Sequence, residues 1–225
     1  MVVRGAGIWS PNLDQLMFWG ADRANNVLIN GEWWRIVTAM FVHVGIIHLA
    51  TNMWCLWNLG LLAEPLMDSF GLIAAYILTG AAGNLLSTLY NWYKFHGVNV
   101  FPAGAGASGA VFGIAGVLIV LLKSKRLPVP PDELKKLRKS VIYFAVINLV
   151  IGLSVNFGSG FTGVEIDNSA HIGGFLCGLL FAVPMVPRIG SLRSDFRFKL
   201  RLSVALVVLL LVLFGFYLAQ LAPQG

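Results

Sequence analysis

A serine and a histidine, each set in a run of small residues, are the side chains whose types permit nucleophilic chemistry. Ser108 lies in the segment 104–113, GAGASGAVFG, which opens a long apolar stretch. His171 lies in the segment 170–174, AHIGG, which opens another. Small residues let neighbouring helices approach closely. The two runs therefore predict a nucleophile and an activating base on two close-packed helices.

Helical spacing of glycines supports a contact between these segments. The glycines form a row along one face of each predicted helix. The helix of Ser108 carries Gly109, Gly113 and Gly116, and the helix of His171 carries Gly174 and Gly178. Phe112, four residues after Ser108, lies on the serine's face and can pack against an imidazole ring. Rows of this kind allow the ~3 Å contact that a serine–histidine pair needs. Taken singly, Ser108 and His171 also fit ordinary helix packing through interhelical hydrogen bonds.

His48 and Asn52 are spaced four residues apart, which places both side chains on one helical face. A packing hydrogen bond explains either residue alone. As a pair near Ser108 they are candidate donors to a developing oxyanion. The backbone N–H of Ser108 is a third donor, because a helix that begins near Gly106 leaves its first-turn N–H groups unsatisfied.

Other catalytic and metal motifs fit poorly. The serine lacks the glycine two residues later and the preceding strand that a nucleophile elbow requires. Asp167, four residues before His171, is assigned to a loop and not to orienting the base. His43 and His48 are expected on different helical faces, so we predict no metal site and no cofactor.

Composition identifies the environment of these residues. The chain has 225 residues, of which 57% are hydrophobic and 12% charged, whereas soluble domains carry about 25% charged residues. An integral membrane protein is therefore predicted. The net charge of +6 does not indicate nucleic-acid binding, because the basic residues cluster in two loops between apolar segments. Cys55 and Cys177 lie inside apolar segments and are expected to pack as small hydrophobic residues.

The apolar segments predict about six membrane spans. Each is long enough, at about 17 residues or more, to cross ~30 Å of hydrocarbon. They cover residues 36–62, 71–91, 104–122, 140–156, 169–187 and 202–221. The basic loops 123–139 and 188–201 are predicted to face the cytoplasm. Residues 63–70 are then a cytoplasmic loop, and residues 1–34 are an amphipathic outer segment.

This topology places the candidate residues at a shared depth. Ser108 is about five residues into the third span, and His171 two or three residues into the fifth. His48 is about a dozen residues into the first span. All three spans run inward, so the three side chains are predicted in the outer half of the membrane.

These motifs resemble the rhomboid family of intramembrane serine proteases in order and spacing, over nearly the whole chain. The matching positions are Trp34-Arg35, His48-x-x-x-Asn52, Gly106-Ala107-Ser108-Gly109 and Ala170-His171-x-x-Gly174-x-x-x-Gly178. The resemblance implies an all-α polytopic helical bundle with a Ser108–His171 dyad. It implies an oxyanion hole from the Ser108 N–H, His48 and Asn52. Phe112 stands where some members have tyrosine.

The resemblance also implies an organisation and partners. The amphipathic segment and loop would be residues 1–34, the catalytic membrane core 35–190, and a basic loop with an extra C-terminal helix 191–225. The family's first core helix is expected to be absent. Implied substrates are single-span membrane proteins cut in or near their transmembrane segment. The chain is expected in the cell (inner) membrane, with its active site facing the extracytoplasmic side.

Two other functions are compatible with parts of this pattern. A rhomboid-like pseudoprotease that binds membrane proteins without cleaving them would typically lack the serine or the histidine, and both are present here. A transporter could line a path with His48, Asn52 and His171. However, the spans carry no evident Asp or Glu, and the polar groups stop at mid-depth.

Overall fold

The computed structural model describes residues 7, 9–95, 101–158 and 167–221, and these are predominantly helical. The described part contains no strand, only an isolated bridge between Asp22 and Gly104. The predicted all-α class is therefore confirmed. The elements are α1 Leu13–Phe18, α2 Ala24–Leu28, α3 Arg35–Thr38, a 3-10 turn Ala39–Phe41, α4 Ile46–Phe95, α5 Ser108–Leu121, α6 Pro131–Gly158, α7 Asn168–Ala182 and α8 Arg193–Ala219.

The longest element, α4, is a helical hairpin. Asp68 interrupts it with φ 57° and ψ 175°, and the Asp68 carboxylate accepts a hydrogen bond from the Gly71 N–H at 2.9 Å. The halves 46–67 and 69–95 diverge from this turn. They enclose an apolar cavity of about 750 Å³ that reaches from Glu64 near the turn to His43 at the open end. The predicted loop over 63–70 is thus wrong, because helix continues to the single turn residue.

The first predicted span also begins too early. Residues 36–41 form short turns, residues 42–45 leave the helix, and α4 begins only at Ile46. Gly45 has φ 109°, a left-handed conformation that prevents a continuous helix through residues 42–45. The other predicted spans overlap the second half of α4 and helices α5 to α8, but α6 begins at Pro131 and α8 at Arg193, so both helices start inside the predicted basic loops 123–139 and 188–201.

Helix α5 is the centre of the bundle. Residues 109–118 are buried on every side, as expected for a helix that is apolar all round. It packs against α7 through the predicted glycines. The backbone of Gly109 faces Gly174, and that of Gly113 faces Gly178. The prediction of close approach between these helices is therefore confirmed.

The helices differ in length and exposure. α4 and α8 are long and apolar enough to cross a membrane, while α5 and α7 are shorter apolar helices. The 14 residues of α5 extend over about 21 Å, less than the ~30 Å of a bilayer core. α8 packs on the bundle at Gly71 through Leu200, and its Gly215 lies near Trp33.

Candidate active site

Three helices begin at one place, and each carries a predicted site residue in its first turn. His48 is the third residue of α4, Ser108 the first of α5, and His171 the fourth of α7. His48 was predicted about a dozen residues into its span. That depth is wrong because the helix starts at Ile46, and the correction brings His48 level with the other two. We call this the site end of the bundle.

His171 is fixed by an aromatic ring from α5. Its side chain is 6% exposed, and its imidazole stacks on Phe112 with ring centroids 4.4 Å apart and planes 7° from parallel. This confirms the predicted contact between Phe112 and an imidazole. The buried Nδ1 atom has no hydrogen-bond partner within the described parts of the chain. The ring is thus held by packing and is free to bond a further group.

Ser108 is half-buried beside the start of α7. A methyl group added at its neighbour Gly109 would lie 3.3 Å from the carbonyl oxygen of Ala170, the residue before His171. In the described part of the chain, Ser108 and His171 are not hydrogen-bonded to each other. Catalytic hydrogen bonds are often long before substrate binds. As the first helical residue, Ser108 has an N–H that no carbonyl of its own helix can satisfy.

His48 presents a ring N–H toward the segment that precedes Ser108. Its Nδ1 accepts a hydrogen bond from the Val44 N–H at 3.4 Å, so the neutral ring carries its proton on Nε2. The ring lies against Gly106, where φ is 132°. A Cβ at Gly106 would lie 3.0 Å from that Nε2, so glycine leaves room for the imidazole.

Asn52 lies one turn after His48 on the same face. Its side chain is 6% exposed, and its Nδ2 donates to the His48 carbonyl at 2.9 Å. This bond uses one of the two amide hydrogens. The other remains available as a donor near His48, which agrees with the predicted pairing.

His43 is a site residue that the sequence did not reveal. Its ring centroid lies 5.4 Å from that of His48, which contradicts the expected placement on different faces. The physical reason is that His43 precedes Gly45 and is not on the helix. Its Nε2 accepts a hydrogen bond from the Ala107 N–H at 3.4 Å. The signal was Gly45, which marks the true helix start.

Asp167 lies immediately before α7 and outside the helix, as predicted. It is the N-cap of α7, where its Oδ1 accepts a hydrogen bond from the Ala170 N–H at 3.0 Å. Asparagine, aspartate and serine are the preferred N-cap residues. The N-cap role itself was not predicted, although Asp167 directly precedes the small and apolar residues of α7.

The N-terminal segment is anchored by Arg35. Its side chain is buried and donates to Glu32 at 2.5 Å, to the Met17 carbonyl at 2.7 Å and to the Ala21 carbonyl at 2.9 Å. The hydrogen bond from Arg35, assisted by one from Asn26, lowers the pKa of Glu32. Arg35 thereby ties residues 17–21 to α3, next to the site end.

The described residues offer neither a metal-binding cluster nor a disulfide. Across residues 9–95, 101–158 and 167–221, no group of three or more His, Cys, Asp or Glu side chains is arranged to hold a metal ion. Cys55 and Cys177 are free, and Cys177 is buried in the core as predicted. What the site end offers is a hydroxyl, a buried imidazole and several N–H donors, which are the components of covalent acyl transfer.

Comparisons with known proteins agree with one another. A family model described as Rhomboid domain matches residues 30–188. Rhomboid protease GluP of Bacillus subtilis (strain 168) is 32% identical over 209 residues, which cover 92% of this chain and 36% of the relative. Rhomboid protease AarA of Providencia stuartii is 28% identical over 180 residues, covering 76% and 62%.

A eukaryotic relative shows the same pattern. RHOMBOID-like protein 6, mitochondrial, of Arabidopsis thaliana is 32% identical over 182 residues, which cover 80% of this chain and 53% of the relative. The chain thus spans between 36% and 62% of the length of these three relatives.

Proposed function

Because this chain belongs to the rhomboid family, we propose that it is an intramembrane serine endopeptidase with Ser108 as nucleophile and His171 as base. It is an integral membrane protein built as a helical bundle, and its named relatives include proteases. The observation that carries the proposal is the convergence of the first turns of α4, α5 and α7.

The reaction follows from the groups at the site end. His171 removes the proton of Ser108, and the alkoxide attacks a peptide carbonyl carbon. The tetrahedral oxyanion accepts hydrogen bonds from the Ser108 N–H, from His48 Nε2 and from Asn52. His171 then protonates the leaving amine, and water hydrolyses the acyl-enzyme with His171 again as base. The stacked Phe112 keeps the imidazole plane fixed through both proton transfers.

The short central helix explains how water and substrate meet inside a bilayer. Since α5 covers only about 21 Å, Ser108 lies below the surface of a ~30 Å hydrocarbon layer, where the irregular segment 101–107 leads in from the surface. Non-helical backbone at this depth is tolerated when it is buried in protein or lines a water-filled cavity. A substrate helix must unwind locally, because its peptide bonds are covered by their own hydrogen-bond ladder.

The proposal includes substrates, location and organisation. The substrates are single-span membrane proteins cut in or near their transmembrane segment, and the lipid bilayer is the other partner. The protein spans the cell (inner) membrane several times, with the site end on the extracytoplasmic side. Residues 35–190 form the catalytic core, with residues 1–34 and 191–225 as its flanking segments.

Active-site labelling tests the proposal. A fluorophosphonate should label the purified protein at Ser108, and a model single-span substrate should be cleaved in the same detergent. Ser108→Ala and His171→Ala should each abolish both signals while the protein stays folded. Ser140→Ala, an exposed serine on α6, is the matched control and should behave as the parent. Cleavage by either dyad variant at a near-parental rate would refute the dyad, and a folded parent that neither labels nor cleaves would favour a binding-only pseudoprotease.

A further inference from the structure

A buried polar cluster holds the segments that lead into Ser108 and His171 at the site end. Asp22, which is 3% exposed, exchanges both backbone hydrogen bonds with Gly104, each at 2.8 Å. The Thr88 hydroxyl donates to Asp22 Oδ2 at 3.1 Å. Gly104 is four residues before Ser108, so this pairing fixes the backbone that leads into the nucleophile.

The same cluster holds the start of α7. The Ser87 hydroxyl donates to Asp167 Oδ2, while Asp167 Oδ1 accepts from the Ala170 N–H. Asn91 Nδ2 in turn donates to the Ser87 hydroxyl at 3.2 Å. Asp167 is four residues before His171, so its hydrogen bonds fix the backbone that leads into the base.

Gly104 is where the two halves of the cluster meet. A Cβ added at Gly104 would lie 3.6 Å from Asp167 Oδ2 and 3.9 Å from Asp22 Cβ. The Asp167 carboxylate and the Asp22 side chain therefore both lie beside Gly104, which has no side chain to separate them.

Charge at Asp22 is disfavoured in this environment. Burial raises the pKa of Asp22 from 3.8 to about 7, and the negative charge of Asp167 adds to the increase. The opposing influences on this pKa are weaker and come from Thr88, the backbone of Arg23 and the cation of Arg35. Asp22 Oδ1 has no hydrogen-bond partner within the described residues, which also suits a neutral carboxyl.

We propose that Asp22 and Asp167 are positioning residues: a neutral Asp22 beside Asp167 holds Ser108 and His171 at reacting distance, and loss of the Asp22 proton separates them. The proposal rests on the proposed protease function. Neither carboxyl touches the reacting atoms. When Asp22 and Asp167 are both ionised their charges repel, and we expect the segments that they hold to move apart. The reaction rate should therefore fall as Asp22 ionises.

Asp22→Asn is the decisive variant, since asparagine keeps the shape and the acceptor for Thr88 but cannot ionise. Fluorophosphonate labelling and substrate cleavage are measured from pH 5.5 to 9 in one detergent. Between pH 6.5 and 8.5 the parental rate should fall at least about threefold. The largest possible fall is about 25-fold, which is the decrease in the protonated fraction of a single group that titrates near pH 7. The variant should lack this decrease and label faster than the parent at pH 8.5, a gain that a merely structural role does not produce.

Two further variants complete the test. Asp14→Asn removes an exposed carboxylate of the same segment and should keep the parental pH profile. Asp167→Asn retains a good N-cap but removes the nearby charge, and should also abolish the decrease in rate above pH 7. If Asp22→Asn fails to fold, Asp167→Asn decides the matter. Identical pH profiles for the parent and the folded variants would overturn the proposal.

Thermal unfolding separates this proposal from the protease assignment. A carboxyl whose pKa is higher in the folded than in the unfolded state makes the folded state bind more protons. Parental stability should therefore fall as pH rises from about 4 to about 7, and Asp22→Asn should remove that fall. If no protein labels at any pH, the protease function is wrong. The positioning role of Asp22 and Asp167 is then tested by the dependence of Tm on pH. Coincident curves for the parent and Asp22→Asn would refute it.

Discussion

The contact between α5 and α7 makes Gly178→Ala the most informative substitution in the core. The Cα of Gly178 packs against the carbonyl of Gly113, two turns beyond the predicted dyad. A Cβ at Gly178 would lie 2.0 Å from the carbonyl oxygen of Gly113, which is about 1 Å closer than Cβ atoms approach other heavy atoms. All three nearest atoms belong to the backbone of Gly113, so no side chain can rotate out of the way.

The magnitude follows from this geometry. Overpacking of a close-packed core costs about 1–3 kcal/mol, which for a protein of this size lowers the Tm by about 2–12 °C. To relieve the overlap, α7 must move by about 1 Å, and a misplacement of that size costs on the order of 10²-fold in rate. Because His171 is carried on α7, we expect the cleavage rate to fall further than the loss of stability alone explains.

Gly60→Ala is the matched control. Gly60 lies in the first half of α4, and an added methyl would meet only Leu72 Cδ2, at 3.9 Å. Both variants are compared with the parent by thermal unfolding in detergent and by cleavage of a model substrate in liposomes, below the Tm of each protein. Gly60→Ala should match the parent. A Gly178→Ala protein with parental Tm and rate would show that α5 and α7 are not in backbone contact.

Three other substitutions probe separate parts of the molecule. Asn52→Ala should lower turnover by ~10²–10³, less than loss of the dyad, because two oxyanion donors remain; unchanged turnover with a lower Tm would make Asn52 a packing residue. Arg35→Met should destabilise by about 2–4 kcal/mol in thermal unfolding, because two buried carbonyls lose their donor, whereas Arg126→Met, at an exposed ion pair, should cost under about 1 kcal/mol. In a cysteine-free background, a membrane-impermeant maleimide should reach Asn30→Cys only from the extracytoplasmic side and Lys135→Cys only from the cytoplasmic side. The reverse pattern would invert the topology.

Most of the long helices and the packing of α5 on α7 could be predicted from the sequence because both depend on local patterns. An apolar run of sufficient length indicates a helix, and glycines at helical spacing indicate a close neighbour. The contact of Phe112 with His171 followed from the same spacing. The start of α4 was missed because the apolar run 36–62 continues through Gly45, and that glycine was the one sign of a break.

The polar environment of the site was harder to predict because its partners are far apart in sequence. Asp22 bonds to Thr88 and Gly104, and Asp167 bonds to Ser87, so neither role has a local signature. His43 lies at the site end only because the chain turns at Gly45, which brings the His43 ring within hydrogen-bonding distance of the Ala107 N–H. The residues expected to react were thus easier to find than the residues that hold them in place.

The turn at Asp68 has a consequence for how the protein is made. A single residue joins the two halves of α4. This connection is too short to leave one half outside the bilayer while the other half is inserted. We therefore expect the two halves to enter the bilayer together as a hairpin, whose turn is stabilised by the hydrogen bond from the Gly71 N–H to the Asp68 carboxylate. A reporter inserted after Met67 should therefore block biogenesis, whereas the same reporter within residues 123–130, between α5 and α6, leaves each inserted unit intact.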